Sequence, residues 1–257
     1  MSDPRFYLPG PWPTSPGDSV ELSGPEAHHL LHVLRLVVGA DVVLFDGMGV
    51  EAGASITNIS RSAATLVIRD VRTSWDRAEP PLILCCAVPK GDRFDWLIEK
   101  ATEVGVTRFV PLLTSRSVVD PRATKLERLR QVIVSAAKQC GRSRLMQLDE
   151  PTRYRDSLTR ELADRPGFLA DPSGSAVDRV LVEHGSTSED IASMKNNAGA
   201  TLFIGPEGGF TPEEIQSAVD HLAKLFSLGS AILRIETAAV VASAFFRRQL
   251  SESNNRQ

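Results

Sequence analysis

From residue 82 onward, apolar runs alternate with segments of helical spacing, and this alternation restricts the possible folds more than any other feature of the sequence. Leu82–Val88 is an unbroken apolar run, and Phe94–Val104 has helical spacing and is followed by Gly105, a residue that suits a helix C-terminus. Further apolar runs at Val106–Leu113 and Thr201–Ile204 are again followed by helical segments. Strands that are apolar along their whole length and alternate with helices favour a parallel α/β sheet covered by helices on both faces.

Residues 1–76 show a different pattern, in which short apolar runs are separated by proline and glycine turns. Three runs predict strands, and Glu26–Leu36 has helical spacing with its apolar residues on one side. We therefore predict a small β-barrel with one helix over 1–76 and a second domain over 82–250. The pair Pro80-Pro81 separates the two, since it fits neither a central strand nor a helix interior. The predicted strands are Ser19–Leu22, Asp41–Phe45 and Ala63–Val71, and the apolar side of the helix carries Leu30, Val33, Leu34 and Val37.

Composition and cysteine usage exclude several classes of protein. Hydrophobic residues make up 42 % and charged residues 24 % of the chain, which excludes a collagen-like or mostly disordered protein. The three cysteines, two of them adjacent, cannot form a disulfide framework and favour a reducing compartment. The first residues lack the basic and apolar segments of a signal peptide, and the sequence has no apolar run of about 18 residues. We therefore expect a cytoplasmic protein without a membrane segment.

The charge of the chain is unevenly distributed. The formal net charge is −3, which excludes a wholly basic nucleic-acid-binding protein. Residues 108–155, the basic segment, nevertheless hold 11 Lys or Arg against 4 Asp or Glu, and Lys138, Arg142 and Arg144 surround a predicted helix C-terminus. Two interpretations are open: a solvated helix end that complements the helix dipole, or a surface that binds the phosphate backbone of a nucleic acid.

The run Gly205–Gly209, the glycine loop, directly follows the predicted strand Thr201–Ile204. It leads into Thr211-Pro212-Glu213-Glu214, which has the pattern of a capping box with proline in the first helical turn. Ligands of open α/β sheets bind at this carboxyl end of the strands. The loop matches neither the dinucleotide fingerprint nor the Walker motif. Because it contains Glu207 and no Lys or Arg, a cationic ligand fits it better than a polyphosphate.

A second loop, Leu228–Ala238, also follows an apolar run and precedes a helix rich in small residues. Taken as isolated residues, Arg234 and Glu236 are better explained by capping of that helix or by pairing with each other than by a role in binding or catalysis. We predict no metal site, because His28, His29 and His32 have no carboxylate or cysteine pair at the spacing of metal ligands.

Several motifs, in this order along the chain, resemble those of one family, the bacterial 16S ribosomal RNA uridine N3-methyltransferases of the SPOUT superfamily. A single motif of this kind would be a weak signal, but the ordered set extends over nearly the whole chain. The motifs are Arg5-Phe6-Tyr7, His29 with Val33-Leu34-Arg35, Lys90-Gly91-Asp92-Arg93, Glu99–Val106, Pro111 with Ser115-Arg116-Ser117, Gln139-Cys140-Gly141-Arg142, Ile204–Phe210, and Leu228-Gly229 with Ile232-Leu233-Arg234 and Glu236-Thr237-Ala238.

The resemblance implies a fold and a reaction. It implies a PUA-like β-barrel for RNA over 1–76 and a SPOUT-type parallel sheet with a C-terminal trefoil knot over 82–250. It further implies S-adenosylmethionine as the methyl donor and transfer of the methyl group to N3 of a specific uridine in the 16S ribosomal RNA of the 30S subunit. The family also implies a homodimer in which the partner subunit completes the site.

The chemistry of this reaction, together with the matched motifs, suggests roles for particular residues. Arg234, or a partner-subunit Arg5 or Arg35, would stabilise the uridine anion, and Glu207, Glu236 or solvent would take the N3 proton. The cofactor would contact the strand end near Leu169–Asp171 and the residues Gly205, Pro206, Glu207, Gly208, Gly209, Leu228, Gly229, Leu233, Arg234, Glu236 and Thr237. The RNA would contact Arg5, His29, Arg35, Lys90, Arg93, Lys100, Arg116, Gln139, Arg142 and Arg144.

Two positions depart from the family pattern, and other functions stay open. Ala231 stands where the family usually has Arg, and Lys138 where it often has Glu. One alternative is another SPOUT enzyme that methylates tRNA or a ribose 2′-OH, which Arg5-Phe6-Tyr7 and Lys90–Arg93 disfavour. A second is a non-catalytic RNA-binding assembly factor, in which the glycine loop would have no role. A third is a small-molecule nucleotide-binding enzyme, which the basic segment disfavours.

Overall fold

The computed structural model describes residues 3–13, 15–74, 76, 79–119, 121, 123–182 and 199–254. The chain forms two compact units. The first unit consists of Met1–Ala78 and Val134–Leu145, and the second of Glu79–Ile133 and Met146–Gln257. The first unit thus includes a segment outside the predicted range 1–76. This segment, Val134–Leu145, is separated from Ala78 by more than fifty residues of the second unit.

The first unit contains a five-stranded sheet in the order β1-β3-β4-β5-β2. β1 and β3 are parallel and all other neighbours are antiparallel. Phe6, Leu22, Leu44, Leu66 and Ile68 are buried in its core. The three strands predicted for this region are confirmed, and β1 and β4 are additional. The strands are β1 (Arg5–Tyr7), β2 (Ser19–Leu22), β3 (Asp41–Phe45), β4 (Val50–Ile59) and β5 (Ala64–Thr73).

The helix predicted over Glu26–Leu36 is wrong beyond its first turns. Helix α1 spans Gly24–His28 and continues as a π-helix over His29–Val33. The Leu34 amide donates to the carbonyl of His29 at 2.9 Å, five residues back. This wider turn breaks the 3.6-residue spacing on which the prediction depended. Leu30 is therefore buried, whereas Val33 is 58 % exposed and Leu34 and Val37 are exposed as well.

The second unit contains the parallel α/β sheet predicted from the sequence. Its seven strands follow the order β12-β10-β11-β6-β7-β8, with β9 paired to β7, and every pair is parallel. All residues of β6 and β11 are buried, as expected for central strands between two layers of helices. The strands are β6 (Leu82–Ala87), β7 (Arg108–Leu113), β8 (Gln147–Leu148), β9 (Thr152–Arg153), β10 (Gly167–Ala176), β11 (Ala200–Ile204) and β12 (Lys224–Ser227).

Helices connect these strands, and α3 begins in the second unit and ends in the first. Among the described residues, none of the helices combines the length and the apolar character needed to cross a bilayer. The helices are α2 (Arg93–Glu103), α3 (Ala123–Cys140), α4 (Tyr154–Glu161), α5 (Val177–Val182), α6 (Pro212–Asp220) and α7 (Ile235–Asn254).

An irregularity in β10 shapes one edge of the sheet. Ala170 and Ser175 both pair with Phe226 of β12, so the residues between them bulge out of the ladder. Gly174 lies so close to β12 that a Cβ atom there would stand 2.5 Å from the amide nitrogen of Phe226. The close approach requires glycine, and Asp171 and Pro172 lie in the stretch that bulges out of the ladder.

Candidate active site

A cavity of about 360 Å³ lies at the carboxyl ends of β10, β11 and β12 in the second unit. The loops that follow three neighbouring parallel strands meet at this edge, which is where α/β sheets bind ligands. Among the described residues, the lining includes the carboxylates of Asp171 and Glu207 and no Lys or Arg. The lining residues are Ala170, Asp171, Pro172, Ile204, Gly205, Pro206, Glu207, Gly208, Gly209, Phe210, Phe226, Ser227, Leu228, Gly229, Ala231, Ile232, Leu233, Ile235 and Ala238.

The structure brings together most of the residues assigned to the cofactor from the sequence. The glycine loop, Leu228, Gly229 and Leu233 line the cavity, whereas Arg234, Glu236 and Thr237 are not among its lining residues. Sequence reasoning missed Pro172, Phe210, Phe226 and Ser227. Phe226 and Ser227 end the apolar run that precedes the loop Leu228–Ala238. Their place directly before that loop was the one signal in the sequence that could have identified them.

The glycine loop is fixed at its C-terminal end by the predicted capping box, which is confirmed. The Thr211 side chain accepts from the Glu214 amide at 3.2 Å, and the Glu214 carboxylate accepts from the Thr211 amide at 2.9 Å. Within the loop, the Gly209 amide donates to the carbonyl of Pro206 at 2.8 Å. Gly209 has a φ of +66°, which favours glycine there.

A second loop, at the end of β7, holds the glycine loop from the side. The Arg116 guanidinium donates to the carbonyl of Gly208 at 2.5 Å and to that of Phe210 at 3.5 Å. The Ser115 amide donates to the Glu214 carboxylate at 2.8 Å. Arg116, assigned to RNA from the sequence, therefore makes its hydrogen bonds with the backbone that lines the cavity.

Arg93 lies between the two carboxylates assigned to proton transfer. Its guanidinium is 3.8 Å from Glu207 and 3.6 Å from Glu236. The Glu207 side chain is 49 % exposed, whereas that of Glu236, in the first turn of α7, is only 8 % exposed. Burial raises the pKa of the Cys86 thiol at the end of β6, and the nearby Glu236 carboxylate raises it further. The sequence pointed to Arg93, Glu207 and Glu236 separately but did not show that the three side chains lie together.

Arg234, the residue assigned to anion stabilisation, lies elsewhere in the loop. It is exposed, and its side chain has no hydrogen-bond or ion-pair partner within the described part of the chain. Ala231, the departure from the family pattern, lines the cavity. The neighbouring Ile232 is 94 % exposed.

Several residues assigned to RNA stabilise the first unit. Arg5 donates to Glu51 at 2.8 Å and to the Ser143 hydroxyl at 2.5 Å. Arg142 is only 2 % exposed, and its guanidinium lies 3.7 Å from the buried Asp76. These contacts tie the segment Val134–Leu145 to the rest of the first unit, and the role of the two arginines in RNA binding stays a prediction.

The carboxylate of Glu51 is the centre of this network. It accepts hydrogen bonds from Arg5, Arg72 and Ser143. Burial alone would raise the pKa of Glu51, but these hydrogen bonds outweigh burial and lower it. Asp76 accepts from the amides of residues 143 and 144 at 2.9 and 2.8 Å. Glu51 and Asp76, both in the first unit, therefore bind residues that follow α3.

The remaining RNA candidates differ in how accessible they are. Arg35, Lys90 and Gln139 are exposed, and Arg144 is half-buried. Lys100 is held by Glu99 and Glu103, each at 2.8 Å. Burial lowers the pKa of His29, and the nearby Lys138 cation lowers it further.

Most cations of the basic segment have acidic partners, which favours the structural interpretation for a large part of it. The partners of Arg108 include the buried Glu161, and Lys138 pairs with Glu26 at 2.9 Å. The cations paired in this way are Arg108, Lys125, Arg128, Arg130, Lys138 and Arg142. Among the residues that the structure describes, no three His, Cys, Asp or Glu side chains form a group that could hold a metal ion.

Two family models match the chain, one in each part. The model of an RNA methyltransferase domain matches residues 77–247, and that of an RNA methyltransferase PUA domain matches residues 22–69. These two matches, with the cavity at the carboxyl edge of a parallel sheet, place the chain in the class of RNA methyltransferases that carry a PUA domain.

Individual relatives narrow this class. Ribosomal RNA small subunit methyltransferase E of Synechocystis is 31 % identical over 88 % of this chain and 72 % of its own length. The Neisseria gonorrhoeae protein of that name, solved bound to S-adenosyl methionine, has a TM-score of 0.83 at 28 % identity and covers 96 % of this chain and 98 % of its own. A Legionella pneumophila protein solved with bound SAM covers the same shares with a TM-score of 0.81 at 30 % identity. The chain belongs to the ribosomal RNA small subunit methyltransferase E family, which confirms the resemblance seen in the motifs.

Proposed function

We propose that the protein transfers a methyl group from S-adenosylmethionine to N3 of a specific uridine in the 16S ribosomal RNA of the small subunit. The observation that carries this proposal is the cavity at the carboxyl ends of β10, β11 and β12. Its volume of about 360 Å³ is in the range of small-molecule sites. Its described lining is mostly apolar, with two carboxylates and no cation, so it suits a cofactor with a cationic sulfonium.

The chain supplies the groups that the reaction needs. When bound, S-adenosylmethionine would supply an electrophilic methyl group. Gly205–Gly209 lets the backbone approach the cofactor, and the fixed geometry of that loop would orient the methyl group towards N3, an effect worth up to about 7–11 kcal/mol. Glu207 and Glu236 are the carboxylates available to accept the N3 proton. Extrusion of the base from its stack costs a few kcal/mol and must be repaid by contacts with the RNA.

For the RNA we propose that residues 1–76 act as the PUA-like binding domain and residues 82–250 as the catalytic domain. Exposed cations with no ion pair in the described parts of the chain support phosphate contacts at Arg35 and Lys90. Gln139 and Arg144 are further candidates. Arg5 and Arg142 are weaker candidates because their guanidinium groups are engaged within the first unit.

Three further properties of the family extend the proposal to this chain: a trefoil knot within 82–250, a homodimer whose partner completes the site, and a cytoplasmic location. Ile232 supports the homodimer, because a large apolar side chain beside the cavity is almost fully exposed in the single chain. Sedimentation of the purified protein tests the oligomeric state, and we expect a dimer.

The test of the reaction uses the purified protein, labelled S-adenosylmethionine and 30S subunits that lack the modification, followed by nucleoside analysis of the 16S RNA. We expect 3-methyluridine. A methyl group on a ribose or another base would contradict the proposed target. Absence of transfer together with absence of cofactor binding would favour a non-catalytic assembly factor.

A further inference from the structure

We propose that Arg93 and Glu207 together recognise the N3–H and O4 edge of the target uracil, and that the buried Glu236 positions Arg93 for this task. The inference rests on the proposed function and deepens it, because it names the groups that read the base. It also gives the cationic role to Arg93 instead of Arg234.

The fold brings the three residues together from distant parts of the sequence. Arg93 begins α2, which follows β6, and Glu207 follows β11. β6 and β11 are adjacent parallel strands, with Cys86 opposite Ile204, so the loops at their carboxyl ends are neighbours. Glu236, in the first turn of α7, completes the cluster at the same edge of the sheet.

Arg93 and Glu207 retain unused hydrogen-bonding capacity. Their closest approach of 3.8 Å is an ion pair without a hydrogen bond, and neither side chain has a hydrogen-bond partner in the described part of the chain. Both are partly exposed, Arg93 to 38 % and Glu207 to 49 %, and Glu207 also lines the cavity. A donor group and an acceptor group thus stand side by side, open to a ligand next to the proposed methyl donor.

Glu236 is the inner member of the cluster. Among the described residues its Oε2 atom is buried without a hydrogen-bond partner, and Arg93 faces its other oxygen, Oε1, at 3.6 Å. A buried carboxylate requires a counter-charge, and removal of that charge is costly. One terminal nitrogen of the Arg93 guanidinium, Nη1, therefore faces the buried Glu236, while the other, Nη2, faces the partly exposed Glu207.

This pair is chemically complementary to uracil. The Watson–Crick edge of uracil presents a donor, N3–H, flanked by two carbonyl acceptors, O2 and O4. A carboxylate accepts from N3–H while an adjacent guanidinium donates to O4. Cytosine has no N3–H and carries an amino donor in place of O4, so it would leave both protein groups unpaired. A site built on such hydrogen bonds rejects the wrong base strongly.

The same two groups can carry the proton and charge through the reaction. The N3–H proton passes to the Glu207 carboxylate, and the N3 electron pair forms the new bond to the methyl carbon. The bond between that carbon and sulfur breaks, and its electron pair stays on sulfur. Negative charge that develops on O4 as the proton leaves is stabilised by Arg93.

The experiment compares Arg93→Gln, Glu207→Gln and Glu236→Gln with a matched control, Arg128→Gln, which removes an exposed arginine that is already paired with Asp95. Single-turnover rates are measured on unmodified 30S subunits at saturating enzyme and cofactor. We expect Arg93→Gln and Glu207→Gln to slow methyl transfer by about 10²–10³-fold, and the control to stay within threefold of the parent. For Arg93→Gln and the control, calorimetric affinity for S-adenosylmethionine and affinity for 30S subunits should also stay within about threefold. Glu207 lines the cavity, so Glu207→Gln should weaken cofactor binding as well, and its rate is therefore measured at a cofactor concentration that saturates the variant.

The pH dependence separates a proton acceptor from a structural residue. The rate of Glu207→Gln should rise more steeply towards alkaline pH than the parent rate, because hydroxide can then remove the N3 proton that the amide cannot accept. Glu236→Asp, which keeps the charge, should recover most of the rate lost in Glu236→Gln.

The outcomes are distinguishable. If the parent forms 3-methyluridine but Arg93→Gln or Glu207→Gln retains its rate within threefold, the inference is wrong and the proposed function stands. If Arg93→Gln loses cofactor binding, Arg93 belongs to the cofactor pocket and its base-reading role is overturned. If Glu207→Gln regains the parent rate once cofactor saturates it, Glu207 serves only the cofactor and the inference is wrong. If the parent forms no 3-methyluridine, the proposed function itself fails.

Discussion

At the scale of single residues, the sequence identified the charged side chains that matter but not what they contact. Arg116 was assigned to RNA because its motif matched, yet its hydrogen bonds go to the carbonyls of Gly208 and Phe210, more than ninety positions away. Arg5 and Arg142 are similar cases, since their partners Glu51 and Asp76 lie on other elements. Local sequence specifies the type of a side chain, whereas its partner depends on tertiary contacts.

Arg116→Gln should weaken cofactor binding. Loss of the bonds from the guanidinium to the glycine loop would leave its carbonyls unconstrained, and a hydrogen bond from a charged donor is worth about 1.5 kcal/mol, or roughly tenfold in affinity. Calorimetry with S-adenosylmethionine measures this effect, and Arg128→Gln, which removes a paired arginine outside the cavity lining, serves as the control. A loss of 30S affinity with unchanged cofactor affinity would restore the original RNA assignment.

Glu51→Gln should destabilise the first unit by about 3 kcal/mol at pH 7, because Arg5 would lose its buried counter-charge. The pKa of Glu51 is lowered by folding, so its contribution is present above the unfolded carboxyl pKa of about 4.3 and is lost as the pH falls through the folded value. The difference between parent and variant in urea unfolding, followed by circular dichroism, should therefore shrink below about pH 4. A difference independent of pH would contradict this role.

At the scale of elements, the accuracy of prediction follows the local pattern. β6 and β11 are buried along their whole length, and their unbroken apolar runs predicted them correctly. β8 and β9 have two residues each, too few to produce a periodic pattern. The prediction of a helix over Glu26–Leu36 failed for a different reason. The widened turn of the π-helix moved the apolar side chains that follow it off the predicted face.

Gly174→Ala should disturb the cavity through the irregular part of β10. The added Cβ atom would meet the backbone of Phe226 and Leu225 at 2.5–2.6 Å, and backbone in a sheet cannot yield as a flexible side chain does. We expect a loss of about 1–3 kcal/mol in stability, typical of overpacking, and weaker cofactor binding. Thermal unfolding and calorimetry test both, with Ser175→Ala, an exposed position on the same strand, as the control. Parent-like values for Gly174→Ala would show that β10 and β12 can separate without cost.

At the scale of the whole molecule, net charge describes the binding surface poorly. Six of the cations in the basic segment are paired with acidic residues, so the count from the sequence overstates the charge available to phosphates. The sequence correctly placed the parallel sheet after a smaller N-terminal part. It could not show that the end of α3 belongs with that N-terminal part, because the contacts depend on Glu51 and Asp76, far away in the chain.

The salt dependence of 30S binding should reflect the number of unpaired cations and not the total number of Lys and Arg residues. Arg35→Gln and Lys90→Gln should each reduce the slope of log affinity against log salt concentration by about 1. Arg128→Gln should leave the slope unchanged, since Arg128 is already paired with Asp95. Filter binding over a potassium chloride series measures all three. Equal effects of the three substitutions would mean that the ion pairs open on binding.

The first unit is built from two separate stretches of chain, and this has a consequence during protein synthesis. A nascent chain that has just passed Ala78 still lacks Val134–Leu145. At about 5–20 residues per second, the ribosome needs several more seconds to supply it. Until then Glu51 and Asp76 lack their hydrogen-bond partner Ser143. The N-terminal part of the first unit can therefore complete its contacts only after the ribosome has translated the first residues of the second unit.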